Sequence, residues 1–402
     1  MYTSNLHVKN KIEQIAAAID KVALIKDNEP GFLSGSSGYL LFFSYLEKYS
    51  SNKEKYRNKK EQVIDHLFRH IDQVTLSSFA QGLGGIGWVF SHLIQQSMLE
   101  ADSNLLLEDF DEVLQKAMEY EFRMRNWDYL HGALGILLYF QNRFAKNNLL
   151  LPVLQNGCEQ LSSLGEEAGE GIKWRSVLNM ETGEEGYNIS MSHGIASIIA
   201  ILSSLHATSG TDHKKTEKLL QGSVMYLLEQ QIDREQYGSY FSNYALESQE
   251  DIHGSRLAWC YGDLGIAMAL WRAGQALDNE TWKNKALEIL LFTAEKRRNP
   301  VGGITRDTGL CHGASGVGHI FYRMWWNTRI PEFYDAASYW FDETLTMARF
   351  DNGPAGFKSW NYVTGEWYDN YKFLEGITGA GLALLTFYYQ IEPAWDECLL
   401  LS

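Results

Sequence analysis

At 402 residues the chain exceeds the usual size of one hydrophobic core, which leaves two domains or a repeat-built architecture. A hydrophobic fraction of 45% beside 21% charged residues describes an ordinary folded protein. A formal net charge of −15, with no basic stretch to override it, argues against nucleic-acid backbones and anionic membranes as partners.

Four cysteines, Cys158, Cys260, Cys311 and Cys398, are too few for a disulfide framework in a chain this long. Met1–Lys9 lacks an apolar signal core. Gly186–Thr211 carries no charge, but its unbroken apolar stretches fall far short of the ~20 residues a membrane span needs. These features predict a cytoplasmic protein in a reducing compartment, not an integral membrane protein.

In chain order the sequence repeats one pattern seven times. Gly31-Phe32-Leu33-Ser34-Gly35-Ser36-Ser37-Gly38, running into Tyr39–Phe43, is the first copy. Ser78–Phe90, Asp128–Phe140 and Ser190–Leu202 follow, and Ser197 replaces the second glycine of the fourth. Ala258–Leu270, Gly309–Phe321 and Lys372–Leu384 complete the series. Each copy opens on glycines and continues as an apolar run long enough for a buried helix. A more polar segment precedes each copy, as in Lys11–Ile25, Lys53–Val74, Glu280–Arg297 and Glu332–Arg349. Ile12, Ile15 and Ile19 fall on one face of the first, as a half-exposed helix requires.

Seven apolar inner helices alternating with seven amphipathic outer ones predict an all-α fold, the α/α toroid, as a single domain over residues 1–402. A closed ring leaves no terminal repeat without a neighbour. The longest intervals, Gly171–Asn188, Asp233–Ser255 and Asp351–Tyr371, are rich in Tyr, Trp, Gly and acidic residues. Met180–Gly186 and Val363–Glu366 read as turns of short β-hairpins. Such loops are either walls of a substrate groove at the rim or plain surface hairpins.

Function is expected where equivalent positions differ. Before the leading glycine stand Ser34, Gln81, His131, His193, Tyr261, His312 and Glu375; one place earlier stand Leu33, Ala80, Leu130, Ser192, Cys260, Cys311 and Leu374. Cys260 and Cys311 share a column on adjacent copies, which predicts proximity, and His312 follows at once. Two thiols and an imidazole are soft ligands that zinc accepts with a fourth position open, the catalytic pattern. Cys158 and Cys398 lie outside the column and read as buried small hydrophobes. His131 reads as a core histidine.

With these motifs in hand, the chain resembles the lanthionine synthetase C-like family, and most closely its stand-alone class I lanthipeptide cyclases. The likeness rests on Trp259-Cys260-Tyr261-Gly262, Cys311-His312-Gly313 and Ser192-His193-Gly194, and it covers nearly the whole chain. Cys311-His312 in place of two cysteines points away from the cyclase domains of bifunctional class II enzymes, as does the lack of a dehydratase domain. The resemblance implies that Cys260, Cys311 and His312 bind Zn2+. It implies that His193, Asp128, Arg256 and Tyr261 are the active-site residues.

The implied reaction adds a cysteine thiol of a dehydrated, leader-bearing precursor peptide to dehydroalanine or dehydrobutyrine, giving (methyl)lanthionine thioether rings. A dehydratase and an exporter are the further partners it suggests. A free thiol titrates near ~8.5, and zinc lowers that value. The enolate formed by attack must be protonated at its α-carbon, and histidine is the natural carrier. His193 either takes the thiol proton or delivers one, Asp128 orients it, Arg256 stabilises the enolate oxygen, and Tyr261 orients or donates. Blander roles stand beside these: Asp128 as N-cap of a helix from Leu130, Arg256 as a loop tie, Tyr261 as packing. Two other readings compete. One is a non-catalytic zinc scaffold binding thiols such as glutathione. The other is an α/α-toroid glycosidase using Asp128 and Glu375, which leaves both cysteines unexplained.

Overall fold

The structure is a computed structural model that describes residues 5–22, 29–179, 182–245, 252–295 and 305–402. Its helices alternate in character along the chain. The amphipathic α1 (Asn5–Val22) precedes the apolar α2 (Ser37–Tyr49); α3 (Lys53–His70) precedes α4 (Leu83–Gln95), and α5 (Ser103–Arg123) precedes α6 (Ala133–Phe144). Then come α7 (Leu151–Leu164) and α8 (Ile195–Ala207), α9 (His213–Glu229), the single turn α10 (Arg234–Tyr237), and α11 (Asp263–Ala276). The series closes with α12 (Glu280–Glu295), α13 (Ala314–Thr328), α14 (Pro331–Thr346) and α15 (Ile377–Tyr389). The segments expected to run to Ile25 and Arg297 leave the described residues after Val22 and Glu295.

Burial follows the pattern that the sequence predicts. Every residue of α2 from Ser37 to Leu46 is buried, whereas α3 buries only Tyr56, Val63, His66 and Leu67, one stripe of its surface. Ile12, Ile15 and Ile19 of α1 are all inside.

By internal packing the chain divides into two compact units, Met1–Phe110 with Thr305–Pro393, and Asp111–Ile304 with Ala394–Ser402. In the first, the apolar helices neighbour one another in the order α13, α15, α2, α4. A backbone ladder joins their leading loops: Cys311 N donates to Leu374 O, Leu374 N to Leu33 O, and Leu33 N to Ala80 O. These are the column positions of copies six, seven, one and two, so the seventh copy adjoins the first. The amphipathic partners refine the expected pairing. α3 packs on α2 and α14 on α13, each against the apolar helix before it, and α1 packs on α15.

In the second unit α6, α8 and α11 are neighbours, backed by α7, α9 and α12. Met191 N and Ser192 N both donate to Cys260 O, which is the same ladder between copies four and five. The repeat glycines allow this contact. A Cβ on Gly265 would strike the Trp259 carbonyl and the Met191 side chain of the adjoining copy. Ser197 is accommodated because its hydroxyl donates to Gly194 O at 2.7 Å.

Short antiparallel hairpins interrupt the helices. β1 (Glu166–Ala168) pairs with β2 (Gly171–Lys173), an element that the loop reading did not foresee. β3 (Ser176–Asn179) pairs with β4 (Glu184–Asn188), which also pairs with β5 (Tyr244–Ala245). Met180 and Glu181, in the expected turn, lie outside the described residues. β6 (Ser359–Asn361) and β7 (Glu366–Tyr368) form the hairpin expected around Val363–Glu366.

The last nine residues complete the second unit. Tyr129 Oη donates to Cys398 O at 2.6 Å, Trp259 Nε1 to Leu399 O at 2.7 Å and Arg272 to Leu400 O at 3.0 Å. Trp395, Asp396 and Cys398 are fully enclosed. Burial pushes the Cys398 thiol well above its usual range and the Cys158 thiol to about 11, so both behave as small apolar groups.

Candidate active site

The loop that enters α11 turns sharply at Gly262, whose φ of 89° suits glycine. A Cβ there would also meet the Ser255 side chain. This turn presents Cys260, buried, and Tyr261, half-buried, at the start of the helix. The Cys260 carbonyl in turn holds the Ser192-His193-Gly194 turn through the amides of Met191 and Ser192 and the Ser192 hydroxyl. His193 N donates to Ser190 Oγ at 3.1 Å. His193 is thus fixed to the Cys260 loop by backbone, not by packing alone.

His193 Nδ1 lies 2.7 Å from Asp128 Oδ2. A carboxylate accepts, so Nδ1 carries the hydrogen and Nε2 is the atom left to exchange protons. Burial, the largest influence, lowers the His193 pKa; the Asp128 hydrogen bond and charge, helped by Cys260, outweigh it and raise the group above its ordinary value. Asp128 Oδ1 accepts from His131 N at 2.7 Å. That bond caps the turn at 128–131; α6 begins only at Ala133, so Asp128 is not the cap of a helix from Leu130.

Tyr261 also neighbours His193, with ring centroids 6.3 Å apart. Burial, with Tyr244 beside it, pushes its phenol well above the usual range, so it keeps its proton and acts as a donor. Asn188 at the end of β4 and Tyr244 of β5 hydrogen-bond its hydroxyl. Arg256 sits half-buried in the loop before Cys260 and is not among the residues that line the cavity described next.

A cavity of about 530 Å³ opens over this group, walled by Asp128, His131, Asn188, His193 and Tyr261, with Trp127 and Leu178 among its apolar faces. β3 and β4 thereby form one wall, as one of the two loop readings expected. His131 corrects the sequence reading. It is exposed on the cavity wall, not enclosed in the core, and its ring lies 5.9 Å from that of His193 at an interplanar angle of 18°. Its place in the same column as His193 and His312 was the available signal.

The second motif loop is built in the first unit. Cys311 is buried and His312 half-buried. Asp307, buried in the same loop, accepts from Gly309 N at 3.2 Å and from Trp360 N at 3.0 Å, tying β6 to this loop. Tyr362 in the β6–β7 turn packs edge-on to His312, centroids 5.3 Å apart at 74°. Neither Asp307 nor Tyr362 stands out in the sequence, because each acts through a contact distant along the chain. No disulfide joins any of the four cysteines. Two buried thiols and an imidazole, from Cys260, Cys311 and His312, are a donor set that could hold a metal ion.

Known proteins match the chain over almost its full length. Nisin biosynthesis protein NisC of Lactococcus lactis subsp. lactis is 26% identical over 428 residues, covering 98% of this chain and 96% of that one. The structure of nisin cyclase matches with a TM-score of 0.78 at 20% identity, covering 98% of this chain and 97% of that one. The shared fold is the all-α α/α toroid that the repeat predicts. The model of the lanthionine synthetase C-like proteins matches residues 26–400, and the chain belongs to that family.

Proposed function

We propose that the chain is a zinc-dependent lanthipeptide cyclase, joining cysteine thiols of a dehydrated precursor peptide to dehydroalanine or dehydrobutyrine as thioether rings. The Asp128–His193 pair in an open cavity carries this reading, because a thiol-binding scaffold has no use for a positioned proton carrier. Asp128 is engaged by His193 and the His131 amide, which weighs against its service as a glycosidase acid. The similarity to NisC and nisin cyclase supports the same class.

Cys260, Cys311 and His312 would hold zinc; soft thiolates and imidazole suit that ion. Bound there, zinc supplies Lewis acidity that lowers the pKa of a substrate thiol toward neutrality. The chain's own residues do the rest. As sulfur bonds to the β-carbon, the π electrons move to the carbonyl oxygen, and the α-carbon needs a proton. His193 delivers it from Nε2 while Asp128 holds the imidazolium by Nδ1. Tyr261, a retained phenol, donates toward the enolate oxygen, and Arg256 adds positive charge from its loop.

Residues 1–402 act as one catalytic domain in this proposal. Each compact unit takes chain from both sides of the other's segments, so neither is a continuous piece. Cysteines outside any disulfide suit a reducing cytoplasm, where a dehydratase and an exporter are the partners we infer. The test is a thiol count on a dehydrated peptide against a no-enzyme control, with elemental analysis of the protein. One zinc per chain, lost in Cys260→Ala and Cys311→Ala, and ring closure above background are expected. Absence of zinc, or closure at the background rate by the wild type, overturns the reading.

A further inference from the structure

We infer that His131 is a proton-relay residue that returns protons from solvent to His193 after each ring closure; this rests on the cyclase reading. His193 has Asp128 on Nδ1, so any proton it gives from Nε2 must be replaced through the cavity. In this scheme the thiol's own proton goes to solvent. Per turnover, one proton leaves the thiol, one passes from His193 to the α-carbon, and one returns to His193 from solvent. No net oxidant or reductant is involved.

His131 is placed for the return step. It is exposed, it lines the cavity that His193 lines, and its ring is near-parallel to that of His193 at 5.9 Å. Both rings border the same cavity, so cavity water can link them. The placement is built: Asp128 Oδ1 fixes the His131 amide while Oδ2 fixes His193, so one carboxylate sets both histidines. No protein hydrogen bond to the His131 ring is present among the described residues. Partial shielding from water by the cavity wall and the nearby His193 lower its pKa, with Asp128 opposing them, so at neutral pH the ring is chiefly neutral and open to a proton from solvent. A histidine placed only to pack would gain nothing from facing solvent.

The experiment compares wild type, His131→Ala and His131→Gln on one dehydrated peptide, with zinc content and melting temperature checked for each. Both variants should keep KM within about twofold and lose kcat by about tenfold or more, less than the about 10²–10⁴-fold of a group that transfers the proton to the substrate itself, because His131 acts through His193. Added imidazole buffer should restore kcat in both variants and leave the wild type unchanged. An unchanged kcat, or a loss that imidazole does not restore in either variant, overturns the relay. If the wild type itself fails to close rings above background, it is the cyclase reading that has failed, so the two failures are separable.

Discussion

At the scale of single residues, the chemistry depends on how neighbours set the charge of a few groups. His193→Ala should keep fold and zinc while losing ring formation by on the order of 10²–10⁴-fold, read from thiols remaining in the peptide. Asp128→Asn tests the raised His193 pKa. An acid is lost as pH rises through its pKa, so removing the carboxylate should move the alkaline limb of the pH–rate profile downward. An unmoved limb would assign that limb to another group. Asp263 makes a separate stability prediction. Burial pushes its carboxyl up to about 7, although the Tyr240 and Phe241 amides hydrogen-bond it. Between the unfolded value of 3.8 and about 7 the folded state holds a proton that the unfolded chain has lost. Stability therefore falls as pH rises through that window, by of the order of 4 kcal/mol. Asp263→Asn keeps an acceptor without the charge. Urea midpoints should decline from about pH 4 to about pH 7 in the wild type and stay level in the variant.

Elements carry the next layer. The Ala394–Leu399 turn and the residues after it enter the second unit as a strap, accepting hydrogen bonds from Tyr129, Trp259 and Arg272. Trp259 is the neighbour of Cys260, so the tail also steadies the loop that offers the thiol. Trp395→Ala removes a fully enclosed indole and should cost about 3–5 kcal/mol in chemical denaturation. A loss below about 1 kcal/mol would show the tail to be merely lying on the unit. On the first unit, Asp307 performs an analogous task, binding β6 to the Cys311-His312 loop.

For the whole molecule, the core runs along apolar helices such as α2, whose first ten residues are all buried. Metal removal should therefore abolish ring formation yet leave the helical circular dichroism signal nearly unchanged. Collapse of that signal on chelation would make the ion structural instead. If the chain is one domain, as its interleaved units suggest, heating should give one transition with fluorescence and circular dichroism coincident.

The repeat, and with it the helices, was legible in the sequence because helix burial is a local property of periodicity. Ile12, Ile15 and Ile19 announce a buried face with no knowledge of what covers it. The leading glycines mark where adjoining loops touch, and column logic singled out Cys260, Cys311 and His312, while the family resemblance pointed to His193. What the sequence leaves open is pairing across distance. That α1 packs on α15, that Asp128 serves both His193 and the His131 amide, and that Asp307 anchors Trp360 were decided only by tertiary structure. His131 shows why. A histidine beside a repeat glycine can face core or solvent with equal local propensity, and only the neighbouring loops that wall the cavity determine which.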